Sequence, residues 1–323
     1  MNSSLRDNLM CEIANMYYFK DMTQADIAKR LFISRSNVSR LLKAARDKGL
    51  VEIKIHYSSQ RCYYLEELIS SQFGLREVYI YDHGAAAQDQ VFYSLCCHVA
   101  NYLHSYIKEC SVIGVSRGTV MEGVLNNMSP CEPRCEDIKL VQMHGCESTS
   151  ESSRSSEDLM RRMLHLCGGT AYYLNAPLYL NSPELREQLE HEPTIRRTLE
   201  LISQVELVVT GIGALTADWR NTSFLAKYLD ETTILELIGL NCVGHIFGQF
   251  FDVNGRRIDH SINDRCLGVR FEDISTIPRV VAAVYGAERG ACTLGALRGG
   301  LASVLFADRA CAEKVLELNK SGA

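Results

Sequence analysis

Two short amphipathic segments follow each other closely near the start of the chain. Residues 23–48 read TQADIAKRLFISRSNVSRLLKAARDK, and their apolar positions recur at the three- and four-residue spacing of helices. Thr23 and Ser34 are good amino-terminal caps, and Phe32 and Ile33 form the turn between the two segments. An earlier stripe predicts a third helix in the same small core: Leu9, Ile13, Met16 and Tyr17.

The pattern changes after residue 50. Alternating apolar and polar residues over 51–56 predict a short strand, and farther on apolar runs alternate with longer amphipathic segments. Such runs indicate strands buried on both faces, as in a mostly parallel sheet covered by helices. The predicted strands are Val78–Tyr81, Val112–Ser116, Ile138–Met143, Thr170–Asn175, Leu207–Gly211, Val280–Val284 and Val304–Ala307. Predicted crossover helices include 88–109, 157–167 and 308–318.

These patterns predict an α/β protein of two domains. We expect a small helical domain over residues 1–57 and a Rossmann-like, mostly parallel open α/β sheet domain over residues 58–323. The net charge of −5 hides an asymmetry, because residues 1–57 carry ten Lys and Arg against six Asp and Glu, whereas the remainder carries 24 against 33. A basic domain on an acidic body fits a protein that contacts nucleic acid with one end only.

The second amphipathic segment has two chemically different faces. Its apolar face is formed by Val38, Leu41, Leu42 and Ala45, and Gly49 ends the helix. Its other face is basic and polar. A basic helix that follows a tight turn from a first helix is typical of a helix-turn-helix, which lays its second helix in the major groove of DNA. The alternative is an ordinary three-helix bundle with a solvated basic face.

The helix-turn-helix interpretation assigns contacts to named side chains. Arg35 and Arg40 could bond guanine bidentately, and Asn37 could bond adenine. Ser36 and Ser39 could contact bases or phosphates. We expect three further residues to hold the phosphate backbone of a double-stranded operator: Thr23, Gln24 and Lys43.

The cysteines number thirteen, yet they form no CxxC pair. The chain opens with MNSSLRDN rather than an apolar leader, and no apolar run approaches the length of a membrane span. We therefore expect reduced thiols in a cytoplasmic protein that has no membrane partner. Cys131 and Cys135, with His144 farther on, form the one metal-like group, but their spacing does not fit a zinc knuckle, and we predict no metal. Cys96 and Cys97 are expected on a buried helix face.

Candidate ligand positions in an open sheet lie at the carboxyl ends of the strands. Ser116, Arg117, Gly118 and Thr119 follow one predicted strand and could hold a phosphate against the free N–H groups of the next helix. Gly211 and Gly213 follow another strand, where missing side chains would allow close approach of a ligand. Arg289 follows Tyr285-Gly286 after a third strand, as a second basic group. Plain tight turns are the alternative at each position.

Other motifs are absent or ambiguous. The sequence contains no GxGxxG fingerprint, no GxxxxGK[ST] loop and no nucleophile elbow, so we predict no cofactor and no catalytic residue. Of the scattered histidines, His144 at a strand end and His245 beside Gly244 are the two to follow. The serine-rich segment 147–157 is either a flexible surface loop or a lid over the ligand.

Six segments match one family in sequence and in order. They are YYFKDMTQADIAKRLFISRSNVSRLLKAARDKGLVEI, VIGVSRGTVMEGV, YYLNAPLY, VVTGIGAL, GHIFGQFFDVNGRRID and LGALRGGLASVLFADRACAEKVLEL. The chain thus resembles the SorC family of sugar-responsive bacterial transcriptional regulators along nearly its whole length. The resemblance implies a helix-turn-helix domain and a sugar-binding body related to sugar-phosphate isomerases and deaminases. It also implies a phosphorylated sugar effector and a homodimer or homotetramer on palindromic operators.

The resemblance also carries over residue by residue. It places Ser116, Arg117, Gly118 and Thr119 in the phosphate loop of the family. It places Arg289 where a basic residue, usually lysine, reaches the phosphate, and Asp252 and Gly255 in an FD-x-x-G turn. This chain departs from the family at three positions near the pocket: Val120, His245 and Tyr285. His245 stands where an acidic residue usually bonds sugar hydroxyls, which suggests either an altered ligand or weak binding.

Two other functions remain open at this point. One is a sugar-phosphate isomerase or deaminase with a DNA-binding appendix, although His245 and Arg289 replace residues that such turnover would use. The other is a ligand-independent DNA binder with a degenerate pocket.

Overall fold

The computed structural model describes residues 3–51, 59–146, 155–215 and 229–321. Residues 52–56 of the predicted strand over 51–56 and most of the serine-rich segment 147–157 lie outside these residues. The chain divides into two compact units, which we call the head (Met1–His56) and the body (Tyr57–Ala323). Among the described residues, no helix is both long enough and apolar enough to cross a lipid bilayer.

The head is built from three helices, as its apolar pattern predicts. They are α1 (Ser3–Tyr18), α2 (Gln24–Leu31) and α3 (Arg35–Asp47). One face of each helix enters a shared core whose fully or nearly fully buried side chains include Ile13, Ile27, Val38 and Leu41. Phe32 and Ile33 lie in the turn between α2 and α3, and Gly49 has the left-handed conformation after α3. The predicted caps and turn are therefore confirmed.

The body is a three-layer α/β unit. Its strands are β1 (Gln60–Arg61), β2 (Glu77–Asp82), β3 (Val112–Val115), β4 (Lys139–Gln142), β5 (Thr170–Tyr172), β6 (Leu207–Gly211), β7 (Gly213–Ala214), β8 (Cys242–Ile246), β9 (Gln249–Asp252), β10 (Arg279–Val284) and β11 (Val304–Asp308). Its helices are α4 (Tyr63–Phe73), α5 (Gln88–Tyr106), α6 (Thr119–Asn127), α7 (Ser156–Cys167), α8 (Pro183–Glu190), α9 (Pro193–Ile202), α10 (Glu231–Gly239), α11 (Ser261–Asp264), α12 (Phe271–Ile274), α13 (Gly290–Arg298) and α14 (Arg309–Lys320). Two 3-10 turns, Ile107–Glu109 and Ala287–Arg289, complete the described elements.

The main sheet has eight strands in the order β1-β2-β11-β10-β6-β3-β4-β5. Its neighbours pair in parallel except β1 with β2, so the predicted mostly parallel sheet is confirmed. Alternate residues of the central strands enter two different cores. For example, Val280 and Ala282 of β10 pack on the side of α4, α9, α13 and α14, whereas Val281 and Ala283 pack on the side of α5, α6 and α7.

The direction in which the sheet grows reverses at β3. From β3 the chain adds β4 and β5 on one side, and then returns to place β6, β10 and β11 on the other. The reversal lies between β3 and β6, which pair through Ile113–Leu207 and Val115–Val209. In open α/β sheets, a crevice at such a reversal is the usual place for a ligand.

All seven predicted strands are present, but their ends differ from the prediction. The strand predicted over Thr170–Asn175 stops at Tyr172, and the one predicted over Ile138–Met143 is Lys139–Gln142. A second sheet, formed by β7, β8 and β9 with antiparallel pairing, was not predicted. Its strands carry glycines and short alternating patterns that do not resemble the continuous apolar runs of the main sheet.

Candidate functional site

The amino-terminal caps fix the geometry of the helix-turn-helix. The Thr23 hydroxyl accepts a hydrogen bond from the backbone N–H of Asp26 at 3.2 Å and donates one to the Asp26 carboxylate at 2.6 Å. Ser34 caps α3 by accepting from the backbone N–H of Asn37 at 3.2 Å. Phe32 takes the left-handed conformation between the two helices, with φ 55° and ψ 40°. These contacts hold the start of α3 in a fixed orientation to α2.

The face of α3 opposite the core is open to solvent. Val38, Leu41, Leu42 and Ala45 are buried, as predicted. Asn37 is half-buried, and the remaining predicted contact residues of this helix are all exposed: Arg35, Ser36, Ser39, Arg40 and Lys43. A row of exposed donors on one helix face is the arrangement that a major groove accepts.

Two of the predicted base-contacting side chains are bonded to each other. Arg40 donates a hydrogen bond through Nη2 to Oδ1 of Asn37 at 2.8 Å. The Ser36 hydroxyl lies 3.0 Å from that of Ser34. The Arg40–Asn37 bond restricts both rotamers before DNA arrives, so these side chains present their remaining donors as a pair.

The side chains of the head that are predicted to contact phosphate differ in whether their hydrogen-bonding atoms are already used within the protein. Thr23, Gln24 and Arg35 line one open concavity with Tyr17 and Tyr18. The Thr23 hydroxyl is already used in the cap, and the carboxylate of Asp26 that it bonds is negatively charged. A phosphate would therefore meet the Gln24 side chain more favourably than that of Thr23.

The predicted phosphate loop lies at the sheet reversal. Ser116, Arg117 and Gly118 follow β3, and α6 begins at Thr119. Gly118 has φ 120°, a conformation that side-chain-bearing residues rarely adopt. Thr119 is exposed at the first turn of α6, where backbone N–H groups have no intrahelical acceptor. This turn can therefore receive an anion, and the predicted loop has suitable local geometry.

Ser116 has a different environment from the rest of that loop. Its side chain is 2% exposed, and its hydroxyl donates to the backbone carbonyl of Val209 in β6 at 2.6 Å. This bond joins β3 to β6, the two strands between which the sheet reverses. Ser116 thus links the two strands through its side chain, although its hydroxyl oxygen can still accept a second hydrogen bond.

The two predicted glycines make room for this protein's own side chains. A Cβ atom on Gly213 would lie 2.1 Å from Nε2 of His245, its neighbour across the β7–β8 ladder. A Cβ atom on Gly211 would lie 2.9 Å from Cγ2 of Val120. The sequence interpretation, in which these glycines leave space for a ligand, therefore needs correction, because His245 and Val120 already occupy that space.

Four residues from distant segments form a polar group that we call the pocket cluster, in which His144 is buried and the others are half-buried: Arg117, His144, Tyr179 and His245. Burial lowers the pKa of Arg117 to about 10. Burial and then the charge of Arg117 lower the pKa of His144 to about 4, and burial followed by Arg117 and His144 lowers that of His245 to about 3. Both imidazoles are therefore neutral at neutral pH.

Backbone contacts hold the pocket cluster together. His144 bridges to Gly268, and its Nδ1 lies 3.1 Å from the carbonyl oxygen of Gly145. The Tyr179 hydroxyl donates to the carbonyl of Gly248 at 2.7 Å, and burial raises its pKa well above the ordinary value. Sequence reasoning noted His144 without assigning it, and it included Tyr179 only as the last residue of the matching segment YYLNAPLY, without a role.

Arg289 ends the 3-10 turn that follows β10, and its guanidinium is half-buried and paired. It donates to the carbonyl of Tyr285 and to the carboxylate of Glu288, each at 2.7 Å, and stacks 4.5 Å from the centre of the Tyr285 ring. Nearby, the Asp308 carboxylate accepts from the backbone N–H of Gly286 at 2.9 Å. To hold a ligand, the Arg289 guanidinium must break its ion pair with Glu288 or use N–H donors that this pair leaves available.

The metal-like cysteine group of the sequence does not assemble. Cys131 and Cys135 precede the amino end of β4, whereas His144 follows its carboxyl end, on the opposite edge of the sheet. The residues that the structure describes contain no group of His, Cys, Asp or Glu arranged to hold a metal ion. All thirteen cysteines are free thiols; Cys96 is buried in α5, as predicted, but Cys97 is only half-buried.

Comparisons with known proteins agree with both units. Residues 57–317 match the family model described as "Putative sugar-binding domain", and residues 13–61 match that of the MarR family. The deoxyribonucleoside regulator of Bacillus subtilis (strain 168) is 28% identical, over 94% of this chain and 96% of its own length. The sorbitol operon regulator of Klebsiella pneumoniae is 25% identical, over 98% of this chain and 100% of its own length.

A solved structure extends the comparison to the fold. The crystal structure of the full-length sorbitol operon regulator SorC from Klebsiella pneumoniae superimposes with a TM-score of 0.71 and 25% identity, covering 96% of this chain and 99% of that one. A transcriptional regulator from Streptococcus pneumoniae TIGR4, at 20% identity, shares the fold with a TM-score of 0.74 over 81% of this chain and 98% of its own. With its helix-turn-helix head and sugar-binding body, the chain belongs to the SorC family of sugar-responsive bacterial transcriptional regulators.

Proposed function

We propose that this protein binds an operator through α3 and that a phosphorylated sugar, or a related metabolite, bound in the body changes its affinity for that operator. One observation carries the proposal. The same chain combines an exposed basic helix face with a sheet reversal at which Arg117 lies beside the start of α6. The exposed basic helix face suits a polyanion such as DNA, and the sheet reversal beside Arg117 suits a small anion in a crevice.

At the DNA end, the charged and polar residues divide into two roles. Arg35, Arg40 and Asn37 read base edges, because they lie in the first two turns of α3, the part of a recognition helix that enters the groove. Ser36 and Ser39 contact bases or phosphates beside them. Gln24 and Lys43 hold the phosphate backbone. Each phosphate neutralised in this way releases counterions, so the affinity should fall steeply as salt rises.

At the ligand end, we assign the phosphate to the first turn of α6. Gly118 and Thr119 offer backbone N–H groups and a hydroxyl, and the Arg117 guanidinium adds a charge that burial makes costly without an anion. Arg289, after exchanging Glu288 for the ligand, is the second cation. His245 faces the sugar end, where a neutral imidazole donates one hydrogen bond and accepts one, unlike a carboxylate.

The coupling between the two ends requires more than one copy of the chain. We infer a homodimer or homotetramer in the cytoplasm, in which ligand binding changes the separation of recognition helices. Paired half-sites must lie about 34–36 Å apart, or multiples of that distance. A coupling of a few kcal/mol is enough to switch occupancy. We assign the body no turnover, since His245 and the paired Arg289 replace the carboxylate and lysine of related enzymes.

The test is a titration of the full-length protein with operator DNA in the presence of a panel of pentose and hexose phosphates. The operator is first isolated by selection from random duplexes. We expect one phosphate ester to change the operator affinity or the assembly state, while its unphosphorylated sugar does neither at equal concentration. If no phosphate ester changes either quantity, the gating half of the proposal fails; if no duplex is selected, the DNA-binding half fails. Incubation of the same esters with the protein should yield no product.

A further inference from the structure

Three thiols meet at the amino edge of the sheet, opposite the carboxyl edge at which the proposed ligand residues lie. Cys131 and Cys135 lie in the loop between α6 and β4, and Cys167 is the last residue of α7. The backbone N–H of Cys131 donates to the carbonyl of Leu166, and that of Cys135 donates to the carbonyl of Cys167, both at 2.8 Å. These two bonds hold the loop against the end of α7.

The side chains of this thiol cluster are also in contact. The Cys131 thiol is close enough to those of both Cys135 and Cys167 for each of them to influence its pKa. The Cys167 thiol in turn donates to the sulfur of Met163 at 3.8 Å. The contacts do not form a metal site, because within the described ranges no group of such residues has the arrangement that an ion needs. Neighbouring thiols of this kind can undergo thiol–disulfide exchange.

The three thiols differ in their exposure to solvent. Cys131 is 1% exposed and Cys167 is fully buried, whereas Cys135 is half-buried between exposed neighbours on the loop. Burial raises the pKa of the Cys131 thiol, and the charge of Lys108, which donates through Nζ to the carbonyl of Glu132 at 2.7 Å, partly opposes that rise. An oxidant can therefore reach Cys135 first, and Cys131 is the thiol placed to react next.

We propose that Cys135 and Cys131 form an intramolecular disulfide when the protein meets a low-molecular-weight disulfide such as oxidised glutathione. The Cys135 thiolate attacks one sulfur of the oxidant, which forms a mixed disulfide and releases one glutathione. The Cys131 thiolate then attacks the Cys135 sulfur and displaces the second glutathione. The two cysteines lose two electrons and two protons, and one glutathione disulfide becomes two thiols. In a reducing compartment this bond is transient, as for other intracellular disulfides.

The test uses the full-length, reduced protein under native conditions. The protein is incubated with oxidised glutathione, quenched with acid, alkylated and mapped by mass spectrometry. We expect the peptide that contains both cysteines to lose two hydrogen atoms without a glutathione adduct. The Cys131→Ser variant should instead accumulate one glutathione on Cys135, because the resolving thiol is missing, whereas Cys135→Ser should show neither product.

Two further variants make the outcome decisive. Cys110 is half-buried like Cys135, but the groups that act on it are Glu206, Arg279 and Glu109 rather than thiols, so Cys110→Ser should leave the disulfide yield unchanged. Cys167→Ala should also leave it unchanged, and loss of the bond in that variant would show that Cys167 is the true partner and overturn the assignment. The proposal is equally overturned if Cys135 in the wild-type protein stops at the glutathione adduct or is not modified before Cys110. The wild-type map decides even if a variant fails to fold.

Discussion

The head and the body handle positive charge in opposite ways. In the head, Arg35, Arg40 and Lys43 are exposed on one helix face, and their charges are solvated until DNA arrives. In the body, Arg117 is half-buried, and burial lowers its pKa to about 10. A solvated cation suits a long polymer whose affinity is tuned by salt, whereas a buried cation gains more from one small anion. Four predictions test this contrast.

The largest effect is expected at the buried cation. Arg117→Gln removes the charge but keeps a donor, so affinity for the phosphate ester that binds wild type should fall by about 2–5 kcal/mol. Calorimetric titration measures the change. Operator affinity without the ester should not change. Arg309→Gln is the matched control, since Arg309 is exposed and paired with Asp82 and Glu313 at the same sheet edge. Equal losses in both variants would contradict a special role for Arg117.

Acid should weaken the body through its neutral histidines. The pKa of His144 is lowered in the folded chain to about 4, so below about pH 6.5 the unfolded chain binds more protons than the folded one. Stability is then lost as pH falls from about 6.5 towards 4, by on the order of 3 kcal/mol from this residue. Urea unfolding at pH 7 and pH 4.5 measures the loss. His144→Gln should reduce the pH dependence and the exposed His191→Gln should not; an unchanged slope in His144→Gln contradicts the burial argument.

In the head, single cations should matter less. Arg35→Ala or Arg40→Ala should weaken specific operator binding by about 1–3 kcal/mol if each reads a guanine. Because Arg40 bonds Asn37, the double variant Asn37→Ala with Arg40→Ala should lose less than the two single losses added together. Fluorescence anisotropy at fixed salt measures these affinities. Arg46→Ala, at the last turn of α3, is the control. If it loses as much operator affinity as Arg35→Ala, the part of α3 that contacts the bases is not the one proposed.

The smallest effect concerns the two ends of the recognition helix. Phe32 and Gly49 both have left-handed backbones, with φ 55° and 70°, but Phe32 carries a side chain that is 96% exposed. Gly49→Ala should destabilise the head by about 1 kcal/mol, and Phe32→Gly should stabilise it by at most a similar amount. Thermal unfolding of the full-length protein measures both. A stabilising Gly49→Ala would mean that the turn after α3 relaxes.

The same contrast explains what sequence reasoning could reach. The head was predictable because its information is local: Thr23 and Ser34 cap the helices they precede, and Val38 and Leu41 are one turn apart on one helix. The continuous apolar runs likewise located seven strands of the main sheet, with β6 predicted at its observed bounds, Leu207–Gly211. In each case, neighbours along the chain remain neighbours in space.

The pocket cluster was less predictable because nothing local assembles it. Arg117, His144, Tyr179 and His245 come from four segments, and the β7–β8 ladder that brings His245 to Gly213 has only two paired positions. Gly213 itself was interpreted as a space for ligand, since a sequence does not tell whose side chain fills the gap that a glycine leaves. Similarly, Glu288 beside Arg289 gave no indication of whether the guanidinium would be paired with it or turned towards a ligand.

The position of the last strand has a consequence for how the protein is made. β11 is the final strand along the chain, yet it lies between β2 and β10, and β2 has no other parallel neighbour in the described sheet. During translation, the amino-terminal helices can thus fold long before the ribosome has released the strand that joins β2 to the rest. A prematurely terminated product would retain the part that recognises operators while its metabolite-sensing part remains unfinished.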